Sequence, residues 1–191
     1  GSKEDGYATL CAVHLALSEY KLQWPHIEQC VVKTDGAAAY AGATFTLGLS
    51  FLGDATGIRV TRHFIGEAGK NKSQLDAHFA VAGQLLRRLM CSGMHDVRTP
   101  TDLFKGLEKV LAKGTSAALF EVDRASDFEI GTIKSLTLMS DRTLEYEADG
   151  AFSKLVLRRQ SWLGDGLEMT AKDLFPNGRV APPAPRLIAT T

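Results

Sequence analysis

The segment from Cys30 to Tyr40 limits how this chain can fold more than any other. It opens with an apolar run rich in β-branched residues, which predicts a strand over residues 27–34 that passes through the interior. The run stops abruptly at Asp35, and Gly36 and three alanines follow. Because open α/β sheets carry their chemistry at the carboxyl ends of their strands, we expect this carboxylate at the functional edge of a sheet.

A second segment repeats this arrangement. Residues 58–65 predict another strand, with Ile58, Val60 and Phe64 facing inward, and Glu67 follows it in a glycine-containing loop. Two strands that each end near an acidic residue predict one metal site at a shared edge of the sheet.

The composition is that of a folded protein with no overall charge. Of the 191 residues 45% are apolar, which is enough for the core of one medium-sized domain, and 22 basic residues balance 22 acidic ones. A net charge of zero attracts neither nucleic acid nor membranes, so any basic surface has to be local. The three cysteines stand singly in apolar runs, which predicts reduced, buried thiols in a reducing compartment.

The location of the protein is predicted from what the sequence lacks. No apolar run reaches membrane-spanning length and no leader sequence opens the chain, so we predict an intracellular protein without a membrane partner. Gly1-Ser2 is typical of an arbitrary fragment start, so native residues are expected upstream. Charge and composition leave self-association into a homo-oligomer open.

The secondary-structure pattern changes at Gly114. Before it, helical spacing of apolar residues predicts helices over residues 8–20, 41–52 and 73–90 and a further helix opened by Thr99-Pro100. After it, short strands are predicted over residues 117–122, 128–139, 143–147, 152–158 and 166–169. The chain is therefore divided into an α/β core (1–114), a β-rich extension (115–175) and a Pro-rich tail (176–191).

Several short motifs in a fixed order carry a family resemblance. They are Thr34-Asp35-Gly36-Ala37 with Tyr40, Glu67 with Gly69-Lys70, Asp76 at the start of a long helix, Gly93 with His95-Asp96-Val97, Thr101-Asp102, and the strand from Ala117 to Asp123. Together they span residues 5–175, and their order is similar to that in transposase-derived proteins of the ribonuclease H-like superfamily, which includes the DDE transposases and integrases.

The resemblance implies a fold and an activity. The fold is a ribonuclease H-like mixed sheet flanked by helices, followed by a small β-rich C-terminal region. The activity is DNA strand cleavage and transfer with Mg²⁺ or Mn²⁺, in the nucleus if the host is eukaryotic. Asp35, Glu67 and Asp76 would hold the metal ions, and their hard carboxylate oxygens suit magnesium.

Four basic residues would then bind DNA. Lys70 and Lys72 precede the predicted helix, whose N-terminus adds positive charge, and are expected to meet phosphate. Arg87 and Arg88 lie towards the end of that helix, as part of a basic face shared with Lys105, Lys109 and Lys113. A solvated helix face accounts for the same charges.

This chain also departs from the family pattern. In that superfamily a central first strand carries the first catalytic aspartate, and two more strands precede the first helix. This chain begins at the helix, so that aspartate and three strands are expected in an upstream segment. The small residues after Asp35 replace polar residues that often follow at this position.

Each candidate residue has a purely structural interpretation. Asp35 before glycine is typical of a turn, Asp76 of a stabilised helix start, and Glu67 of a solvated loop. The histidines show no zinc spacing, so each is predicted to be at the surface or capped, and His63 alone is near the acidic loop. The alternatives to a nuclease are a noncatalytic domesticated remnant that binds nucleic acid or protein, and a small-molecule enzyme with a deep apolar pocket.

Overall fold

The computed structural model describes residues 6–66, 74–122, 142–149, 151–158, 163–170 and 185–190. The chain divides into two compact units, one formed by residues 1–71 and 123–185 and the other by residues 72–122 and 186–191. These boundaries differ from those placed by sequence at 114/115 and 175/176. Each unit is therefore assembled from two separate stretches of the chain.

Among the described residues, helices and strands alternate as far as the strand Ala118–Glu121, and only strands follow. The helices are α1 (Gly6–Gln23), α2 (Ala38–Ala41), α3 (Ala43–Gly48), a 3₁₀ turn (Leu49–Phe51), α4 (Leu52–Thr56), α5 (Gln74–Cys91) and α6 (Pro100–Val110). The strands are β1 (Gln29–Thr34), β2 (Arg59–Ile65), β3 (Ala118–Glu121), β4 (Arg142–Asp149), β5 (Ala151–Arg158), β6 (Leu167–Thr170) and β7 (Arg186–Thr190). None of the described helices is both long and apolar enough to cross a membrane.

The first unit is built on a five-stranded mixed sheet with the strand order β1-β2-β4-β5-β6. β1 and β2 are parallel, and each later strand pairs antiparallel with its neighbour. The fold is thus mixed α/β, as predicted, and β4 to β6 continue the sheet of the core. β1 forms one edge of this sheet among the described strands.

A bulge in β2 changes which of its residues face the core. Cys30 pairs with Val60 but the next residue, Val31, pairs with Arg62, so Thr61 is left over. One extra residue reverses the alternation of the side chains that follow it. Val60 is buried as predicted, but the later inward residues are His63 and Ile65, and the prediction of Phe64 is wrong.

The connection between β1 and β2 is a series of short helices in place of the single helix predicted over 41–52. Gly42 has an extended backbone (φ −69°, ψ 150°) and separates α2 from α3, and the 3₁₀ turn interrupts the helix again. Gly57 ends α4 in the left-handed conformation (φ 70°). The large apolar side chains that are fully buried in the described part of this connection are Phe45, Leu47, Leu49 and Leu52.

α1 packs on this connection and contributes buried Leu10 and Cys11. The helix ends at Gln23, directly before Trp24-Pro25, as expected for the residue that precedes proline. The predicted burial of the cysteines holds for Cys11 only. Cys30 is half-buried, with its thiol pKa raised by burial, and Cys91 is exposed.

The second unit pairs two helices with a two-stranded sheet. α6 begins with a capping box, in which the Thr99 hydroxyl accepts from the Asp102 N–H (3.1 Å) and the Asp102 carboxylate accepts from the Thr99 N–H (3.0 Å). β3 pairs antiparallel with β7. Residues 186–190, which were assigned to the tail, therefore form a strand, while the strand predicted over 128–139 lies outside the described residues.

The close approach of α1 to the end of α3 predicts a sensitive position. A Cβ at Gly48 would overlap a methyl group of fully buried Leu10. We expect Gly48→Ala to destabilise the protein by about 1–2 kcal/mol, because an overfilled core forces side chains from their preferred rotamers. Gly83→Ala is the matched control: a Cβ there meets no atom within 4 Å. It should be neutral or stabilising by up to about 1 kcal/mol in urea unfolding. Equal effects would contradict the close packing.

Candidate functional site at the carboxyl ends of β1 and β2

β1 and β2 end at the same level, so the residues that follow them are neighbours. Thr34, the last residue of β1, is the register partner of Ile65, the last residue of β2. The N–H of Gly66 also donates to the carbonyl oxygen of Thr34 over 3.0 Å. Asp35 therefore begins the chain beyond β1 beside Gly66, which directly precedes Glu67.

The Asp35 carboxylate stabilises a turn through one of its two oxygens. The side chain is half-buried, and its Oδ1 accepts from the N–H of Ala37 over 3.0 Å, which is a local turn that aspartate commonly forms. Among the described residues, no donor is within hydrogen-bonding distance of Oδ2. The turn interpretation of Asp35 thus accounts for one of its two oxygens.

His63 lies beneath this edge and is the most buried ionisable side chain near it. None of its surface is exposed, and its Nε2 shares a hydrogen bond with the Thr34 hydroxyl (2.8 Å). Phe45 packs edge-on against the imidazole, with ring centroids 5.4 Å apart. His63 is therefore not at the surface, the first of the two predicted placements, because the bulge at Thr61 turns it inward.

Burial keeps the His63 imidazole neutral. Removal from water lowers its pKa to about 4. Its Nδ1 is buried and has no hydrogen-bond partner among the described residues. His63 therefore contributes one hydrogen bond to Thr34 and no charge at neutral pH.

Of the other candidate residues on and before α5, the structure describes only some. Glu67, Lys70 and Lys72 lie outside the described residues. Asp76 is exposed in the first turn of α5, and this helix belongs to the second unit. Asp35 and Asp76 therefore belong to different units.

Arg87 and Arg88 are both exposed near the end of α5. Both are available to a ligand, and both also fit an ordinary solvated helix face. No three His, Cys, Asp or Glu side chains converge on a common point within the described part of the chain.

A groove of about 410 Å³ lies at the opposite end of the same strands. Its walls carry charges of both signs, from Lys21, Glu28, Asp54 and Arg59. Lys21 already donates to the carbonyl oxygen of Ile27 over 2.8 Å. The groove is open and charged, unlike the deep apolar pocket that a small-molecule enzyme would place over the carboxyl ends of the strands.

Sequence reasoning missed the role of His63 and Thr34. The signal that was available is the position of Thr34 immediately before Asp35. The position of His63 depends on the bulge, and periodicity alone does not reveal an extra residue. Comparison of the chain with protein-family models, curated proteins and solved structures finds no match.

The buried imidazole predicts a loss of stability in acid. The pKa of His63 is about 4 in the folded protein and about 6.5 in the unfolded chain, so the unfolded chain binds the extra proton first. We expect the free energy of unfolding to fall by at most about 1.4 kcal/mol per pH unit from pH 6.5 to 4 on account of this residue.

Urea unfolding at several pH values tests this expectation. His63→Leu removes the titrating group, so its stability should fall less steeply between pH 6.5 and 4 than that of the parent protein. His26→Leu, at an exposed histidine, is the matched substitution control. Identical slopes in the parent and His63→Leu would show that the imidazole is not held neutral by burial.

Proposed function

We propose that the carboxyl edge of β1 and β2 is a divalent-metal site in a ribonuclease H-like domain that cleaves and transfers DNA strands. The observation that supports it most is the parallel register of the two strands. Thr34 pairs with Ile65, so the chain segments leading to Asp35 and Glu67 leave the sheet side by side. Parallel strands bring functional groups to one edge in this manner in many α/β enzymes.

The described part of the edge fits a hard cation. Asp35 is half-buried and has one carboxylate oxygen with no donor among the described residues, and Mg²⁺ and Mn²⁺ bind carboxylate oxygens. Asp35 and Glu67 would hold the ion, with Asp76 completing or supporting the cluster. A bound ion would activate the attacking oxygen and stabilise the leaving oxygen of a phosphodiester. Lys70 and Lys72 would orient the phosphate.

β1 presents an edge to which a further strand could be added. It is unpaired on one side among the described strands, and Val31 at its centre is 50% exposed. An unpaired edge presents backbone donors and acceptors that a further strand can use. The strands that the resemblance implies would pair here.

The second candidate function is a noncatalytic remnant that binds DNA or protein. The observation that favours it is the Asp35 turn, because the bond from Ala37 explains an aspartate here without any metal. Metal binding separates the two candidates.

Manganese titration by calorimetry is the direct test. Asp35→Asn removes a charged ligand, so we expect Mn²⁺ affinity to fall at least about tenfold, which corresponds to about 1.4 kcal/mol. Glu28→Gln is the matched control, an exposed carboxylate at the other end of β1, about 20 Å along the strand direction.

The outcomes divide the two candidate functions. Loss of affinity in Asp35→Asn but not in Glu28→Gln supports the metal site and justifies an assay of Mn²⁺-dependent DNA nicking. Absence of Mn²⁺ binding by the parent protein, or equal affinity in all three proteins, contradicts a metal site formed by this chain and favours the remnant.

DNA binding by the basic end of α5 is tested through its salt dependence. If Arg87 and Arg88 contact phosphates, replacing both with Gln should reduce the slope of log K against log [salt] on duplex DNA by about 1.8. Arg98→Gln is the control, because Arg98 is exposed in the same unit but already paired with Asp96 over 2.6 Å. An unchanged slope in the double variant would leave these arginines as a solvated face.

A further inference from the structure

A fully buried histidine on β2 is an unusual choice for stability alone. His63 makes one hydrogen bond through Nε2, and its Nδ1 has no partner among the described residues. An unsatisfied buried polar atom costs free energy, whereas leucine at this position would fill the core without that cost. The contribution of His63 therefore has to be sought in the group that it binds.

That group is Thr34, and β2 holds it at two points. The Thr34 hydroxyl bonds to His63, and the Thr34 carbonyl oxygen accepts from the Gly66 N–H. An N–H on Nε2 that donates to the hydroxyl leaves only a lone pair unsatisfied at Nδ1, which is less costly than a buried unpaired N–H. The side chain and the main chain of Thr34, the last residue before Asp35, are thus both held by hydrogen bonds.

Aromatic packing fixes the imidazole itself. Phe45 lies edge-on to His63 at 5.4 Å, and Tyr40 lies edge-on to Phe45 at 5.8 Å. Tyr40 belongs to α2, which follows the Asp35 turn. The chain before Asp35 is therefore bonded to the His63 ring, and the chain after it contacts the Phe45 ring that packs on His63.

We infer that His63 is the positioning residue of this edge: through Thr34 it fixes the backbone that carries Asp35. The metal-binding consequence rests on the proposed function, but the positioning itself is measurable without metal. Loss of the bond should loosen the Gly66 and Ala37 hydrogen bonds, which flank Asp35, before it affects the rest of the sheet.

Amide hydrogen exchange by NMR on the metal-free protein tests the inference. His63→Leu and Thr34→Val each remove the bond while filling the space, and each should accelerate exchange at Gly66 and Ala37 about tenfold. The Arg59 amide is the internal control, because it donates to Glu28 over 2.8 Å and joins the same two strands at their other end. Its exchange should stay unchanged.

Two further variants separate positioning from simple packing. His63→Gln places an amide near the Nε2 position and should restore slow exchange at Gly66 and Ala37. The double variant His63→Leu, Thr34→Val should be no faster than either single one, because both remove the same bond. Acceleration at Arg59 equal to that at Gly66, or no rescue by Gln, would reduce His63 to a core residue and overturn the inference.

Manganese titration of the same variants keeps this inference apart from the proposed function. If the metal site exists, affinity should fall severalfold in His63→Leu and recover in His63→Gln. Faster exchange at Gly66 and Ala37 in the variants, without Mn²⁺ binding by the parent protein, would support positioning of Asp35 by His63. The same result would contradict a metal site in this chain. Mn²⁺ binding with equal affinity in all variants would support the metal site and overturn the role of His63 in orienting Asp35.

Discussion

The parallel pairing of β1 with β2 is the constraint on which the rest of the first unit depends. Parallel neighbours cannot be joined by a tight turn, so the chain between them has to cross over the sheet. The crossover consists of α2 to α4, and its apolar side chains include Phe45 and Leu52, both fully buried. The same pairing fixes where the two strands end. Core and candidate site are thus two consequences of one strand register.

The antiparallel strands add to this pair without disturbing it. β4 pairs with the other side of β2, and its Tyr146 is buried with its hydroxyl donating to the carbonyl oxygen of Thr46 over 2.5 Å. This bond links the sheet extension to the crossover helices. Burial raises the pKa of Tyr146 well above its ordinary value, so the hydroxyl stays protonated and remains a donor. β2 is therefore fixed from both sides.

Much of this fold is readable from the sequence because it follows local rules. The proline after Trp24 ends α1, the Thr99 cap begins α6, and β4 to β6 follow the predicted strands closely. The crossover was harder to predict, since glycines within an apolar run do not show where a helix breaks. β7 was missed because a Pro-rich composition indicates a tail, and its pairing with β3 is a long-range contact.

The candidate site shows the same division between local and long-range information. Asp35 was identified because a strand that stops at a carboxylate is visible in the sequence. His63 was predicted to be at the surface or capped, and its burial was missed because periodicity does not reveal the bulge at Thr61 that decides which side chains are buried. A metal site also requires several side chains to converge on one point, and residue spacing in the sequence does not show whether they do.

The turn at Asp35 and a metal at Asp35 are compatible, and this changes how the two candidate functions compete. The Ala37 N–H donates to Oδ1 and fixes the orientation of the carboxylate. The same bond therefore also fixes the direction of Oδ2. A ligand held in this way loses less conformational entropy when it binds an ion than a freely rotating one. A bond that explains Asp35 without metal would also prepare it for metal. The hydrogen-bonded turn removes the need for a metal to explain Asp35 but does not exclude one, and the two functions differ in whether a second carboxylate approaches Oδ2.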